Sequence, residues 1–409
     1  MRPLEDVRAH VLSSVGRLER EQIDFRDGLW RVLAEPVVAT ENVPPFPNSA
    51  MDGFAVKGDD VEDSGAVLSI LEDVAAGQVA VSTVAAGQTI RIMTGAPMPV
   101  GADTVVRVED TTVDNGKVSI STSVAKGTYV RPAGGDVAVG QTVFDAGVRM
   151  GPMHVGVLAT LGHVAPVVSR RPKVAIMSTG DELRPAETRD LGPGMIRDSN
   201  RPMLRAILQA VGAEILDMGT VPDDADALRA VLGRAVAESD VIVSTGGVSM
   251  GDYDVTKMVL RDDVGVDFIS VAMKPGKPFA FGNLGGTPFF GLPGNPVSVL
   301  VSFEQFVRPA LLSMQGADTV LRPQVMGVAG EALSTDPEKT VFVRVQISYR
   351  NGEVVASPTG SQASNVLSGA AAADAFAVVP RGVAEIEEGQ PVTLELFRAL
   401  EMRKVDDAL

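Results

Sequence analysis

The 409-residue chain contains no cysteine and only three histidines. The absence of cysteine excludes disulfides, thiolate zinc sites and thiol nucleophiles. The histidines, His10, His154 and His163, lack the spacing of a metal-binding motif. Chemistry that depends on a cysteine or on a histidine-bound metal is therefore not expected.

Basic charge is also scarce, because 36 Lys and Arg against 52 Asp and Glu give a formal net charge of −16. Such a surface repels phosphate backbones, and an anionic substrate would need a local positive pocket. The N-terminus lacks the uninterrupted apolar core of a secretory signal, and no other segment is expected to span a bilayer. The sequence predicts a cytoplasmic protein that binds neither nucleic acid nor membrane.

The length predicts several domains, since single hydrophobic cores rarely grow beyond about 300 residues. Residues 3–34 are predicted to be largely helical, including the run DGLWRVLA. A β-rich region follows, with short apolar runs separated by turn signals such as Asp114-Asn115-Gly116. Beyond about residue 320, five short apolar runs predict a small β-barrel or sandwich.

Strands and helices alternate from residue 172, which predicts an open α/β domain with helices on both faces. The run KVAIMS suits a parallel strand that is covered on both sides. Apolar residues spaced from Leu204 to Val211 indicate a helix that stops at Gly212, and Asp223 is a candidate N-cap for the next helix. The runs DVIVS and DFISVAMK are predicted to be further strands, and Asn295-Pro296 to cap a final buried helix.

Ligands of open α/β sheets bind at the carboxyl ends of the strands, so the loops after KVAIMS, DVIVS and DFISVAMK carry the candidate residues. Glycines there let backbone N–H groups approach a phosphate, and a Lys-Pro-Gly-Lys turn can direct two ammonium groups at one polyanion. Ordinary turns and solvated lysines remain the alternatives for each loop taken alone. The candidates are Ser178, Thr179, Gly180, Asp181, Glu182, Gly246, Gly247, Ser249, Lys274 and Lys277.

Acidic side chains near the same strand ends, namely Asp181, Glu182 and Asp254, are suited to hold Mg²⁺ together with a substrate phosphate. Asp181 has a second reading as a helix cap. A bound cation, two lysines and glycine-rich loops are together typical of a site that binds a phosphoanhydride. Catalysis at such a site depends mostly on positioning and charge neutralisation. Two loops elsewhere, Pro44 to Val56 and Arg91 to Pro97, present further polar side chains.

Seven motifs in register resemble the molybdopterin molybdotransferases, the MoeA-type enzymes that include the C-terminal domain of gephyrin. They cover essentially the whole chain. The motifs are PPFPNSAMDGFAV, RIMTGAPMPVGAD, STGDEL, DSNRPML, STGGVSMGDYD, KPGKPFAFG and GLPGNPVSV.

The resemblance implies an elongated homodimer of four modules. These are a discontinuous N-terminal helical linker domain (1–42 and 140–170), an inserted β-rich domain (43–139), a central α/β molybdopterin-binding domain (171–318) and a C-terminal small β-barrel (319–409). The active cleft is expected between the α/β domain of one chain and the inserted domain of the other.

The reaction implied by the resemblance inserts molybdate into adenylylated molybdopterin and hydrolyses the pyrophosphate link to release AMP, with Mg²⁺. Asp52, Glu182 and Asp254 are expected to orient metal and water, with Glu182 and Asp254 as metal ligands. Thr94 is expected to help place molybdate, and the two lysines to neutralise phosphate and oxyanion charge. Substrate-binding positions carried over from the family are Ser49, Asp136, Ser178, Thr179, Gly180, Asp181, Gly246, Gly247, Ser249, Pro293, Asn295 and Pro296.

One departure concerns Asp136, because many relatives carry an acidic residue where this chain has Gly135. Two other functions stay open: a molybdopterin adenylyltransferase, which shares the α/β domain, and a non-catalytic scaffold like gephyrin's domain. The length and the intact acidic and lysine positions favour the transferase. A molybdopterin adenylyltransferase and molybdoenzyme maturation factors are candidate partners.

Overall fold

The computed structural model describes residues 1–247, 258–263, 265–350 and 352–397. Within these ranges, buried apolar side chains form separate clusters in an α/β domain, a linker domain, an inserted β domain and a C-terminal barrel. The multidomain α/β plus β architecture predicted from the sequence is confirmed. The residue boundaries given above for the four modules stay a prediction.

The α/β domain contains a six-stranded sheet in which four parallel strands continue into two antiparallel strands at one edge. Alternate residues of KVAIMS enter different cores, because Val174 and Ile176 face one side of the sheet while Ala175 and Met177 face the other. In spatial order the strands are Glu214–Val221, Lys173–Thr179, Val241–Thr245, Thr287–Leu292, Pro278–Leu284 and Asp267–Ser270.

Two of the predicted helices, Asn200–Val211 and Ala225–Glu238, cover opposite faces of this sheet. The first helix ends as predicted at Gly212, which has a left-handed φ of 86°. The predicted cap of the second is wrong by one residue, because Asp224 is the residue whose side chain accepts from the N–H of Ala227 at 2.8 Å. A π-helical turn, Val259–Asp263, follows farther along the chain.

The last helix of the domain, Pro296–Gln315, consists of two α-helical parts joined by a π-helical turn, Phe303–Val307. By length and composition it could cross a membrane, contrary to the expectation from the sequence, but 94% of its most apolar window is buried. The ring of Phe306 stacks on Phe279 with 4.4 Å between centroids. This helix is therefore the central core helix of the α/β domain.

The N-terminal segment is helical only over Leu4–Ser13, so the helical prediction for the rest of residues 3–34 is wrong. In the run DGLWRVLA, Trp30 has a left-handed φ of 63°, and Val32 and Leu33 form isolated β-bridges. The apolar residues of this run therefore form strand-like bridges, to Arg149 and Val168 of the linker domain, and do not form a helix. The short helix packs its buried Leu4, Val7 and Val11 in the core that contains Phe306.

The linker domain joins residues that are far apart in the sequence. Its core includes Leu33, Met150, Leu158 and Val168. Its elements are the strand pairs Arg20–Gln22 with Val167–Ser169 and Val37–Val38 with Thr142–Phe144, the 3-10 turn Phe25–Asp27 and the helix Pro152–Thr160.

The inserted domain has its own six-stranded sheet. The predicted turn at Asn115 and Gly116 joins two adjacent strands, with φ of 46° and 75° at the two residues. In spatial order the strands are Thr104–Arg107, Gly53–Val56, Gln88–Ile92, Val67–Val74, Lys117–Ile120 and Thr111–Asp114. The short elements are the strand pair Asn48–Ser49 with Val130–Arg131 and the 3-10 turns Gly58–Asp60 and Val108–Asp110.

The C-terminal domain is a closed barrel, since its first and last strands in spatial order also pair with each other. Each barrel strand corresponds to one of the five apolar runs predicted there. In order around the barrel the strands are Thr340–Arg350, Glu353–Pro358, Gln324–Ala329, Pro391–Leu396 and Ala375–Val379. The strand pair Leu333–Ser334 with Glu385–Ile386 and the helix Leu367–Ala371 complete the domain.

The predicted single strand DFISVAMK is instead two strands that belong to different sheets. Asp267–Ser270 is the antiparallel edge strand of the α/β sheet, whereas Met273–Lys274 pairs in parallel with Thr340–Arg350 of the barrel. Between them, Val271 forms a bridge with Arg2. The apolar run does not reveal that the chain passes from one sheet to the other, because both halves of the run are strands of a sheet.

We predict that Phe306→Ala lowers the free energy of unfolding by about 3 to 5 kcal/mol, because it removes a fully buried aromatic ring from the core. Urea denaturation followed by circular dichroism measures the change. Met153 is 77% exposed, and Met153→Ala should change stability by less than about 0.5 kcal/mol. Equal stability of the two variants would contradict the assignment of this helix as the core.

Candidate active site

The Lys-Pro-Gly-Lys turn lines a cleft of about 430 Å³ between the α/β domain and the barrel. Lys274 and Lys277 are exposed, and among the described residues neither forms an ion pair. Lys339 of the barrel lines the same cleft. Three ammonium groups therefore surround one cavity of a chain whose net charge is −16.

Backbone bonds to two domains fix this turn. Met273 and Lys274 pair with Thr340 and Val341 of the barrel, and the N–H of Val271 donates to the carbonyl oxygen of Lys277 at 2.8 Å. Gly276 has a φ of 99°, and a Cβ there would lie 3.0 Å from the hydroxyl of the buried Ser302. The turn thus needs glycine both for its conformation and for its close packing.

The opposite wall of the cleft is formed by Pro293, Gly294 and Asn295 together with the barrel segment at Ser364. Asn295 is the N-cap residue of the helix that begins at Pro296, as predicted, but its side chain makes no capping hydrogen bond, and its amide nitrogen donates to the hydroxyl of Ser364 at 2.9 Å. Pro296 occupies the first turn of that helix, as predicted. This hydrogen bond joins the α/β domain to the barrel within the lining of the cleft.

Arg344 holds the barrel side of the cleft. Its side chain is 1% exposed, and its guanidinium donates to the carbonyl oxygens of Ser361, Ala363 and Val366 at 2.7, 3.2 and 3.0 Å. The loop at Ser364 is therefore fixed by a buried cation. The sequence analysis missed Arg344, although a single arginine within the apolar run TVFVRV was the available signal.

A hydrogen-bonded group lies at the carboxyl ends of two parallel strands. The Ser178 hydroxyl donates to the buried carboxylate of Asp198 at 2.8 Å, and the Thr245 hydroxyl donates to Ser178 at 3.3 Å. Arg201 donates to the same Asp198 oxygen at 3.1 Å. Ser178 was a predicted site residue, whereas Asp198 lies in the quoted DSNRPML motif and was not singled out.

Asn200, from the same motif, connects these strand ends to the cleft. Its amide nitrogen donates to the carbonyl oxygen of Gly294 at 2.7 Å, while its buried amide oxygen has no hydrogen-bond donor. The loop after the first strand and the Pro-Gly-Asn wall are thus held in a fixed relation.

The predicted glycines adopt backbone conformations that other residues avoid. Gly246 and Gly247 have φ of 90° and 64°, and a Cβ at Gly246 would collide with the carbonyl oxygen of Thr179. Glycine therefore permits two strand ends to lie against each other. Gly180, with φ of 142°, lies beneath the carboxylate of Glu182, and a Cβ there would be 2.5 Å from that carboxylate in its present position.

The acidic residues of the first loop remain at the surface. Glu182 and Asp181 are exposed, and one oxygen of Asp181 accepts from the backbone N–H of Asp223 at 3.2 Å. Asp254, the second predicted metal ligand, and Ser249 lie outside the described residues. No group of three His, Asp or Glu side chains suited to a metal occurs in the described part of the chain.

A separate set of predicted residues meets in the inserted domain. One oxygen of Asp52 accepts from both the backbone N–H and the hydroxyl of Thr94, each at 2.7 Å. These two hydrogen bonds, first from the N–H and then from the hydroxyl, lower the pKa of Asp52. Buried Ser49 lies on the neighbouring short strand and donates from its hydroxyl to the carbonyl oxygen of Met51 at 2.5 Å.

Asp136 lies apart from this pair, with an exposed side chain and a backbone N–H that donates to the carbonyl oxygen of Val43 at 2.9 Å. None of the hydrogen bonds of Ser49, Asp52 or Thr94 within the described ranges reaches a residue beyond Val130. The structure thus brings the lysine cleft and the strand ends together in one region and the Asp52 pair together in another. The catalytic roles of all these residues stay predictions.

Known family models match three consecutive parts of the chain. The MoeA N-terminal region, domain I and II, matches residues 2–162, and a probable molybdopterin binding domain matches residues 175–313. The MoeA C-terminal region, domain IV, matches residues 327–397.

Curated relatives match over nearly the full chain. A "Molybdopterin molybdenumtransferase 2" of Mycobacterium tuberculosis is 38% identical over 370 residues, covering 88% of this chain and 90% of the relative. The "Molybdopterin molybdenumtransferase" of Haemophilus influenzae is 33% identical and covers 98% of this chain and 100% of its own.

A solved structure has the same arrangement of domains. The molybdopterin biosynthesis moeA protein from Pyrococcus horikoshii OT3 superposes with a TM-score of 0.86 at 28% identity, over 97% of this chain and 100% of that one. Because sequence models, curated relatives and this structure agree over nearly the whole length, the chain belongs to the MoeA family.

Proposed function

We propose that this chain is a molybdopterin molybdenumtransferase, an enzyme of molybdenum cofactor biosynthesis that inserts molybdate into adenylylated molybdopterin and releases AMP. The observation that carries the proposal is the cleft into which Lys274, Lys277 and Lys339 project on a strongly acidic protein. Sequence identities of 38% and 33% to curated molybdopterin molybdenumtransferases, over nearly the whole chain, support the same function.

The reaction joins two steps at one substrate. The two dithiolene thiols form bonds to molybdenum and transfer their protons to one molybdate oxygen, which leaves as water. A second water molecule cleaves the pyrophosphate link, so that AMP departs from the cofactor phosphate. Both steps involve anions, and opposite charges about 4 Å apart attract by about 4 kcal/mol at an effective dielectric near 20. In the proposed reaction Lys274 and Lys277 supply this attraction. Backbone N–H groups of the glycine loops donate to phosphate, apart from that of Gly246, which donates to the carbonyl oxygen of Leu292 at 3.1 Å.

The proposal includes Mg²⁺, which would be held by Glu182 and Asp254. Glu182 fits this role because its exposed carboxylate, over Gly180, supplies the hard oxygen ligand that Mg²⁺ prefers. The ion supplies charge neutralisation at the pyrophosphate when bound. Ser178, Asp198 and Arg201 hold the strand end beside Glu182 through their own hydrogen bonds.

The proposal also includes a homodimer in the cytoplasm. Asp52 and Thr94 form a preorganised pair whose carboxylate stays ionised at neutral pH, yet their hydrogen bonds remain within the inserted domain of the same chain. A second copy that places this pair against the lysine cleft would bring both sets of residues to one substrate. Asp52 would then orient water, and Thr94 would help to place molybdate.

A molybdopterin adenylyltransferase and a scaffold remain the competing functions. The adenylyltransferase needs little beyond the α/β domain, whereas this chain places a barrel residue, Ser364, in the wall of the cleft. A scaffold has no need of two cleft lysines, Lys274 and Lys277, that lack ion-paired partners among the described residues. The architecture therefore favours the molybdenumtransferase.

We predict that the purified protein releases AMP from adenylylated molybdopterin only when molybdate is present. Chromatography quantifies AMP, and reconstitution of a cofactor-free molybdoenzyme quantifies the product. Adenylylation of molybdopterin by ATP without use of molybdate would instead identify an adenylyltransferase. The absence of both activities would favour the scaffold.

We predict that Lys274→Ala and Lys277→Ala each lower kcat/KM for molybdate-dependent AMP release by about 10- to 100-fold. A charge-assisted hydrogen bond contributes about 1.5 to 3 kcal/mol, which corresponds to this range. Lys117→Ala, at an exposed position on the inserted domain, is the matched control and should act like the unmodified chain. Rates near normal for both cleft variants would remove the lysines from the mechanism.

We predict that Glu182→Gln raises the Mg²⁺ concentration needed for half-maximal AMP release by about tenfold or more, since it removes a negatively charged ligand. Mg²⁺ titration after chelation measures the effect. Glu187→Gln, at an exposed carboxylate just beyond the short strand Leu183–Arg184, is the control. An identical Mg²⁺ dependence in both variants would exclude Glu182 as a ligand.

A further inference from the structure

The third cation of the cleft differs from the other two in its surroundings. Lys339 immediately precedes Thr340, the barrel residue that pairs with Met273 at the start of the lysine turn. Its side chain is 20% exposed, so it is partly withdrawn from solvent. The barrel strand thereby sets the position of Lys339 relative to Lys274.

Lys339 is already paired. Its ammonium donates to the carboxylate of Asp336, whose side chain is 27% exposed. The other oxygen of Asp336 accepts from the backbone N–H of Glu338 at 3.1 Å. Lys274 and Lys277 have no such ion pair in the described part of the chain, so the cleft contains two unpaired ammonium groups and one neutralised group.

Asp336 is itself within the electrostatic field of the cleft. The hydrogen bond from Lys339 and then that from the N–H of Glu338 lower its pKa, and the charge of Lys274 lowers it further. The carboxylate is therefore ionised at neutral pH. A negative charge beside an anion-binding cleft opposes the binding of an anion, and it also holds the ammonium group of Lys339 that an anion would otherwise contact.

We propose that Lys339 exchanges partners, binding Asp336 while the cleft is empty and the substrate oxyanion when the cleft is filled. This inference rests on the proposed function and adds two residues to it. Asp336 competes with the oxyanion for one ammonium group, and so it sets the affinity of the cleft and favours release of the product. Lys339 and Asp336 are positioning and affinity-determining residues, distinct from the predicted catalytic set.

Competition predicts effects of opposite sign for the two members of one ion pair. Asp336→Asn removes the competitor and frees the ammonium, so molybdate should bind about three- to tenfold more tightly. Lys339→Gln removes the attracting charge, so molybdate should bind about three- to tenfold more weakly. A pair that only stabilises the loop would give the same sign for both variants or no change in binding.

The test is isothermal titration of the full-length protein with molybdate alone, at fixed ionic strength. The double variant with Asp336→Asn and Lys339→Gln should bind closer to Lys339→Gln than to the unmodified chain, because removing the competitor has little effect once the ammonium group is absent. Additive effects, with the double variant binding like the unmodified chain, would indicate fixed charges without exchange and would overturn the inference. Lys339→Arg keeps the charge and should bind within about twofold of the unmodified chain. Thermal unfolding checks that each variant is folded, and Asp336→Ser replaces Asp336→Asn if that protein is not.

The matched control is the ion pair of Lys126 with Asp59 on the inserted domain, 2.9 Å apart. Lys126→Gln and Asp59→Asn change the net charge by the same amounts and should leave molybdate affinity unchanged. Shifts of the same sign, unchanged affinity in both cleft variants, shifts matched by the controls, or no molybdate binding by the unmodified chain would each overturn the inference.

The inference and the proposed function fail in different ways. Opposite shifts in molybdate binding without release of AMP would keep the partner exchange and reject the transferase activity. Molybdate-dependent release of AMP without opposite shifts would keep the activity and reject the exchange.

Discussion

The lysine turn is connected to the C-terminal barrel by a parallel strand pairing only two residues long. Met273 and Lys274 leave the α/β domain and pair with Thr340 and Val341, so the position of each cleft lysine depends on the barrel. The opposite wall has its own connection, from Asn295 to the barrel residue Ser364. The cleft therefore exists only while the two domains are docked. The barrel, which is distant from the α/β domain in the sequence, is therefore a structural part of the lysine cleft.

Buried charges around the cleft are held either by an opposite charge or, as for Arg344, by carbonyl oxygens, whereas Lys274 and Lys277 have no ion pair in the described part of the chain. Arg201 pairs with the buried carboxylate of Asp198, and Arg322 with that of Glu304. Burying an unpaired charge costs several kcal/mol, so pairing at these positions is needed for stability. Lys274 and Lys277 remain in solvent, where a free charge costs little. An acidic surface and a basic cleft together focus an anion on one place.

Much of the fold could be predicted from the sequence, because the spacing of apolar residues and the positions of turn residues indicate local secondary structure. Lys173–Thr179 and the helix that ends at Gly212 were found this way. The predictions were wrong where tertiary contacts determine the secondary structure. The run at Trp30 has helical spacing but serves β-bridges, and DFISVAMK divides between two sheets. The lysine turn was predicted to end a strand of the α/β sheet, and it instead follows a strand that pairs with the barrel. Arg344 has a local signal, a single arginine within the apolar run TVFVRV, whereas the burial and bonding of Asp198 have none in its exposed-looking motif DSNRPML.

The central claim is that the oxyanion of the substrate binds in the cleft between the lysine turn and the barrel. The most direct measurement is a crystal structure of the protein with tungstate, located by its anomalous scattering. The account predicts a tungstate ion within hydrogen-bonding distance of the ammonium groups of Lys274 and Lys277. Tungstate bound elsewhere, with neither lysine in contact and the cleft filled only by water, would contradict it.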